Sequence, residues 1–313
     1  MLGKTAGGLY WMFRFLERSE NTARLIEAGF RIALTRSQDT TAEWKSVVAT
    51  AGVMDGYNAK YDSYDASTLV DYLLRDPSNP SSVFSASEKA RTNARLVRTA
   101  LTTEVWEAVN ENWMSLKQLL KRPVKETDLP AILGEIRRQT ALVRGALHGT
   151  MMRNDIYDFA MIGTGLERAD NTARIIDVKY YTLLPSASFV GSPLDNVQWE
   201  TILRSVSAHR SFRWLNEGDM TSANIAEFLI LDSRFPRSLA FSSRIIEENL
   251  NFLAKDYGTR FKSHDMIDAQ REKLRQHTIA SIFEEGLHSF IIDFIRENNA
   301  IGMQIEQDYQ FIG

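Results

Sequence analysis

The chain has 313 residues, of which 44% are apolar and 25% charged, with a net charge of −3 and no cysteine. Those values exclude disulfides, thiolate metal sites and thiol nucleophiles, and the slightly acidic balance argues against nucleic acid as a partner. The opening run MLGKTAGGLYWMFRFLERSE is interrupted by Arg14 and is followed by no signal-like cleavage site, and no window reaches the roughly 20 apolar residues of a membrane span. The expectation is a cytoplasmic protein with no membrane association.

Only seven prolines occur, and almost every segment carries helical rather than alternating periodicity. The pattern predicts an all-α fold with helices over 8–35, 41–53, 66–75, 82–99, 103–121, 128–148, 152–184, 196–215, 221–231, 236–256 and 263–311. The last of these carries Gly286 and Gly302 and is expected to break at them. Ser85 to Glu88 fits a capping box, and Asp128 before Leu129-Pro130 fits a helix start.

An internal repeat organises these elements. LERSENTAR (16–24) and LERADNTAR (166–174) share seven of nine letters. Trp44 of EWKSVV matches Trp199 of QWETIL at an offset of 155, and VDYLLRDPSNPSSV (70–83) matches AEFLILDSRFPRSL (226–239) at 156. Three ordered blocks at slowly growing offsets indicate a duplication. KRPVKETDLP (121–130) is the most linker-like stretch between the halves, so the repeats are expected to be 1–125 and 126–313, two helical bundles packed with pseudo-twofold symmetry into one unit.

The repeated phrase has a definite helical geometry. At about 100° per residue, Glu17, Asn21 and Arg24 form one narrow polar stripe, and Met12, Leu16, Ala23, Ile26 and Phe30 fill the opposite side. Glu167, Asn171 and Arg174 repeat the stripe. Glu17 and Arg24 lie about 10 Å apart along the axis, too far to pair within one helix. Two antiparallel copies crossing near Asn21 and Asn171 would pair Glu17 with Arg174 and Arg24 with Glu167. Two readings stay open. One is a buried structural seam, in which ion pairs fix register. The other is a site in which guanidinium groups hold a carboxylate or phosphate and Glu17 and Glu167 act as catalytic acid and base.

A second constellation lies in the first half alone. Arg91, Arg95 and Arg98 make a basic stripe, and Glu104, Glu107 and Glu111 an acidic one after a short turn. A solvated, salt-bridged hairpin explains most of it. Aligned positions in the second half are Glu247, Asn251 and Ala254, so Arg91, Arg95 and Arg98 are also candidates for an anion site. The lone Glu285-x-x-His288 lacks the second such pair that a di-iron bundle needs, and no metal site is expected. No P-loop, GxGxxG or nucleophile elbow occurs, so the chain has no nucleotide-binding signature of its own.

YWMFRFLERSENTARLIE, ARTNARLVRTALTTEVWEAVN, MRNDIYDFAMIGTGLERADNTARIID and EFLILDSRFPRSL together resemble the bacterial alpha-E family, over essentially the whole chain. The family's Glu-Arg dipeptides fall on Glu17-Arg18 and Glu167-Arg168, with Asn21, Arg24, Asn171 and Arg174 downstream and Arg153 at the start of the second motif helix; the resemblance adds Arg153 to the anion-site candidates. Its usual ARENAR is here ARTNAR, with Thr92 in place of an acidic residue. The resemblance implies a setting of ATP-dependent peptide synthesis or modification, with an ATP-grasp amidoligase-type protein and a transglutaminase-like protein as companions. ATP and Mg are then expected on the partner ligase. Three functions follow: a helical accessory subunit that presents a peptide or other anionic substrate, an amide-forming, transfer or hydrolytic enzyme using Glu17 and Glu167, or a purely structural role for the motifs.

Overall fold

The computed structural model describes residues 1–34, 40–182, 193–216 and 220–311, and these are all-helical, with no strand among them. In chain order the helices are α1 (Gly3–Ala33), α2 (Thr41–Thr50), α3 (Met54–Asn58), α4 (Ala66–Leu74), α5 (Val83–Leu96), α6 (Thr103–Leu119), α7 (Leu129–Thr150) and α8 (Asp155–Thr182). They continue with α9 (Pro193–Ser205), α10 (His209–Asn216), α11 (Ser222–Ile230), α12 (Leu239–Tyr257), α13 (Lys262–Gln276), α14 (Ile279–Glu285) and α15 (Leu287–Asp308). The helix ends expected at 35 and 184 fall outside the described residues.

Local chemistry sets several boundaries. Ser82 and Ser238 cap α5 and α12, their hydroxyls accepting from Ser85 N and Phe241 N. The α5 cap is therefore three residues earlier than the expected capping box at Ser85. α7 begins at Leu129 with Pro130 in its first turn, as the sequence predicts. The chain breaks at Gly286, whose φ is 99°, but runs helically through Gly302, contrary to expectation. A Cβ at Gly302 would lie 3.1 Å from the Tyr10 hydroxyl, so this glycine serves close approach between helices. The expected helix 196–215 is instead divided by Ser207, at φ 57°.

The two longest helices form the axis. α1 packs on α8, α5 and α7, and α8 packs on α1, α12 and α15. α6 lies on α5 and α7, and α13 on α12 and α15. α7 thus belongs by its packing with α1 and α6. Near their starts, Leu9, Tyr10, Phe159 and Ile162 share one apolar cluster. Near their ends, Ala23, Ile26, Ala173 and Ile176 share another with Trp44 and Trp199. α1 and α8 therefore run side by side in the same direction. At Gly163 a Cβ would stand 2.3 Å from the Tyr10 carbonyl oxygen, so the backbones touch where only glycine fits. Both helices are enclosed almost all round, which forces their polar residues to find partners inside the protein.

Candidate functional site

The parallel arrangement brings equal helix positions level, and this decides the pairing. Glu17 accepts from Arg168, Nε to Oε1 at 3.0 Å and Nη2 to Oε2 at 2.9 Å. Glu167 accepts from Arg18 in the same manner, at 2.5 and 2.9 Å. Each Glu-Arg dipeptide thus clasps the other. The expected pairs Glu17–Arg174 and Arg24–Glu167 do not form, because they require antiparallel helices. Arg24 instead turns back to Glu20, at 2.9 and 2.6 Å, and Arg174 to Asp170 at 2.7 Å.

Further side chains complete the seam. Arg14 donates to Glu167 Oε2 at 3.0 Å. Arg237 reaches Glu17 Oε1 at 2.9 Å, Asn21 Oδ1 at 3.1 Å and Glu20 Oε1 at 2.6 Å. Glu20 also accepts from Arg144 and from the Thr140 hydroxyl. Arg24 extends past the seam to the Ser205 carbonyl at 3.2 Å and the Ser207 hydroxyl at 2.7 Å. The break at Ser207 lies where Arg24 docks.

Burial and charge set the protonation states. Glu17 and Glu167 are 2% and 6% exposed. Burial alone would raise the Glu17 carboxyl, but the charges of Arg168 and Arg237 outweigh it and hold it well below the usual carboxylate range. Burial likewise opposes ionisation of Glu167, and Arg18 and Arg14 reverse the effect and lower it. Glu20, pushed up by burial and by Glu17, is lowered on balance by Arg237, Arg144 and Arg24. Burial pulls Arg237 down to about 10, with Glu17 opposing and Arg168 and Arg24 reinforcing, so it stays charged at neutral pH.

The other sequence candidates have different surroundings. Arg91 donates to Asn110 Oδ1 at 2.9 Å, and Arg98 stacks over Trp106 at 5.0 Å. Arg95 is exposed in the last turn of α5. Arg153 donates to the Met151 and His148 carbonyls and lies 4.0 Å over the Tyr157 ring. Among the described residues no ion pair joins the Arg91–Arg98 stripe to Glu104, Glu107 or Glu111, and no group of three His, Cys, Asp or Glu could hold a metal ion. The sequence reading missed the roles of Arg14, Arg144 and Arg237. For Arg237 a signal exists, since the aligned position in the first half is Ser81.

The clasped dipeptides are the structural counterpart of a family description. The model of Alpha-E, described as a predicted alpha-helical domain with a conserved ER motif, matches residues 1–310. The chain belongs to the Alpha-E family. It is 23% identical over 308 residues to uncharacterized proteins of Mycobacterium bovis and Mycobacterium tuberculosis, covering 92% of this chain and 34% of each relative. The chain thus spans about a third of the length of these relatives. No solved structure matches it. Among the described residues no helix is long and apolar enough to cross a membrane. In this Alpha-E chain the two Glu-Arg dipeptides are one interlocked unit, not two separate sites.

Proposed function

We propose that this Alpha-E chain is a non-catalytic helical partner of a cytoplasmic ATP-grasp amidoligase-type system that makes or modifies peptides. In this reading ATP and Mg belong to the ligase, and a transglutaminase-like protein is a second companion. The observation that carries the non-catalytic role is the state of the motif glutamates. A general acid or base exchanges its proton near the working pH. Glu17 and Glu167 are instead enclosed, bound on both oxygens by guanidinium groups, and held ionised. That geometry disfavours the alternative of an enzyme using them as acid and base.

Two further facts support the partnership. In its mycobacterial relatives the matching region is 34% of a longer protein, so it stands there beside other polypeptide. The seam also opens on one side into a cavity whose lining holds the donors Arg18, Asn21, Asn171 and Arg174 beside the carboxylates Glu167 and Asp170, with which Arg18 and Arg174 pair. Those donors suit a carboxylate or phosphate, and we assign the anionic group of the presented substrate to this place rather than to Arg91, Arg95, Arg98 or Arg153.

We also infer that the chain is a duplication of two bundles related by a pseudo-twofold axis. The reciprocal Glu-Arg pairs support it, as do the packing of α2 on α8 and α9 on α1 and the serine caps of α5 and α12. Because α7 packs on α1 and α6, this reading moves the repeat boundary from 125/126 to the turn after Thr150.

Co-expression with the ligase tests the partnership. The two should co-purify, and ATP turnover by the ligase with peptide substrate should fall when this chain is left out. Identical turnover with and without it would overturn the proposal.

A further inference from the structure

The seam cavity, of about 200 Å³, is bounded by α1, α8 and the turn at Gly52. Asn21, Asp170 and Asn171 are among its lining residues, and Asn21 Nδ2, Asp170 Oδ1 and Asn171 Nδ2 have no hydrogen-bond partner among the described residues. Asn21 is only 3% exposed. An unpartnered buried donor or acceptor costs the full loss of its hydration, so such a cluster is built for an occupant.

The other face of the seam shows what occupant fits. Glu20, Asn21 and Arg24 stand at the helix positions that Asp170, Asn171 and Arg174 hold on α8. On that face the Arg237 guanidinium lies against Glu17, Glu20 and Asn21. Arg237 is the residue immediately before Ser238, which caps α12. Ser81 is the residue immediately before Ser82, which caps α5, and Ser81 lines the cavity. The cavity is therefore the Arg237 position with its guanidinium missing. Glu20 accepts from Arg24 and from Arg237, whereas Asp170 accepts from Arg174 through Oδ2 and keeps Oδ1 empty.

We propose that this cavity binds an arginine, free or at the C-terminal end of a peptide. Its guanidinium donates to Asp170 Oδ1 and, as Arg237 does to Asn21, to the amide oxygen of Asn171, while its carboxylate accepts from the Asn21 and Asn171 amide groups beside Arg18 and Arg174. The carboxylate contact rests on the anionic-group reading above; the guanidinium contact does not. Neighbouring arginines oppose a further guanidinium but do not exclude it: Arg168 and Arg24 pull Arg237 down, and its contacts with Glu17 and Glu20 keep it charged at neutral pH. A cavity of this size admits one side chain with its terminal carboxylate rather than a folded segment.

Calorimetric titration of the full chain with L-arginine, agmatine, L-citrulline and a short peptide ending in arginine tests both contacts. Arginine or the peptide should bind, and whichever binds more tightly identifies the source. Citrulline, which lacks the charge, should bind at least about tenfold more weakly. Ser81→Arg should supply the guanidinium from within, abolish binding and keep or raise the melting temperature. Asp170→Asn provides a second variant and should weaken arginine by a similar factor. No binding by either arginine ligand overturns the proposal. So does citrulline matching arginine, or arginine binding Asp170→Asn as tightly as it binds the unmodified chain. Agmatine matching arginine would leave the guanidinium site standing and overturn the carboxylate contact alone.

Discussion

Arg237 Nη1 lies 2.9 Å from Glu17 Oε1, joining residues 220 positions apart in the chain. Removing one partner of a buried pair leaves an uncompensated charge, at a cost of about 3–5 kcal/mol. Arg237→Met is expected to destabilise by about that much in urea unfolding, since Glu17 and Glu20 both lose a cation. Glu17→Gln should cost a comparable amount by freeing Arg168 and Arg237. The double variant should cost clearly less than the two single effects added, by more than about 0.5 kcal/mol. Strict additivity would show that the pair does not act as a unit.

The seam also fixes the response to acid. Glu17, Glu20 and Glu167 are all held below the ordinary glutamate value of 4.5. A depressed folded-state pKa contributes stability that is complete above the unfolded value and disappears as pH falls through the folded one. Unfolding free energy is expected to drop steeply below about pH 4.5. Arg168→Met should lower stability at pH 7 and flatten that drop, because Glu17 loses its bidentate partner. An unchanged acid limb in this variant would remove Arg168 as a cause of the shift.

Much of this was legible in the sequence, and the limits are physical. Spacing placed Glu17, Asn21 and Arg24 on one face and required partners from elsewhere. The periodicity of one helix carries no information on the direction of its neighbour. Antiparallel and parallel copies satisfy the same pattern, and the packing of Tyr10 on Gly163 decides for the parallel one. The helix expected over 236–256 would put Arg237 in its first turn; the residue stands instead just before the Ser238 cap of α12, and its contact with Glu17 depends on how α12 packs on α8. The helix over 196–215 showed no breaker, because the break at Ser207 accompanies a distant guanidinium rather than a glycine or proline.

Two glycines should respond oppositely to the same substitution. Gly163→Ala places a methyl where the Tyr10 carbonyl oxygen lies 2.3 Å away. Either the α1–α8 contact opens or the backbone shifts, at a cost of about 1–3 kcal/mol or more. Gly145 lies on the exposed face of α7, where a Cβ would meet nothing within 4 Å. Gly145→Ala should gain up to about 1 kcal/mol from helix propensity alone. Thermal melts of the two variants check both signs, and equal shifts would contradict the close α1–α8 approach.

Asp158 is expected to oppose the seam in its pH dependence. It lies in the first turn of α8, is 3% exposed, and is pushed up to about 7 by burial and then by Asp256 and Asp155. A carboxyl with a folded pKa above its unfolded value binds its proton more tightly when folded. Stability is therefore lost as pH rises between about 4 and 7, the reverse of the Glu17 effect. Asp158→Asn keeps the shape and removes the charge, so it should stabilise the chain at pH 8 by on the order of 1–3 kcal/mol. At pH 4, where the native carboxyl is already neutral, it should change little. Unfolding curves at the two pH values measure the difference. An equal effect at both would show that packing at Asp158, rather than its ionisation, sets the stability there.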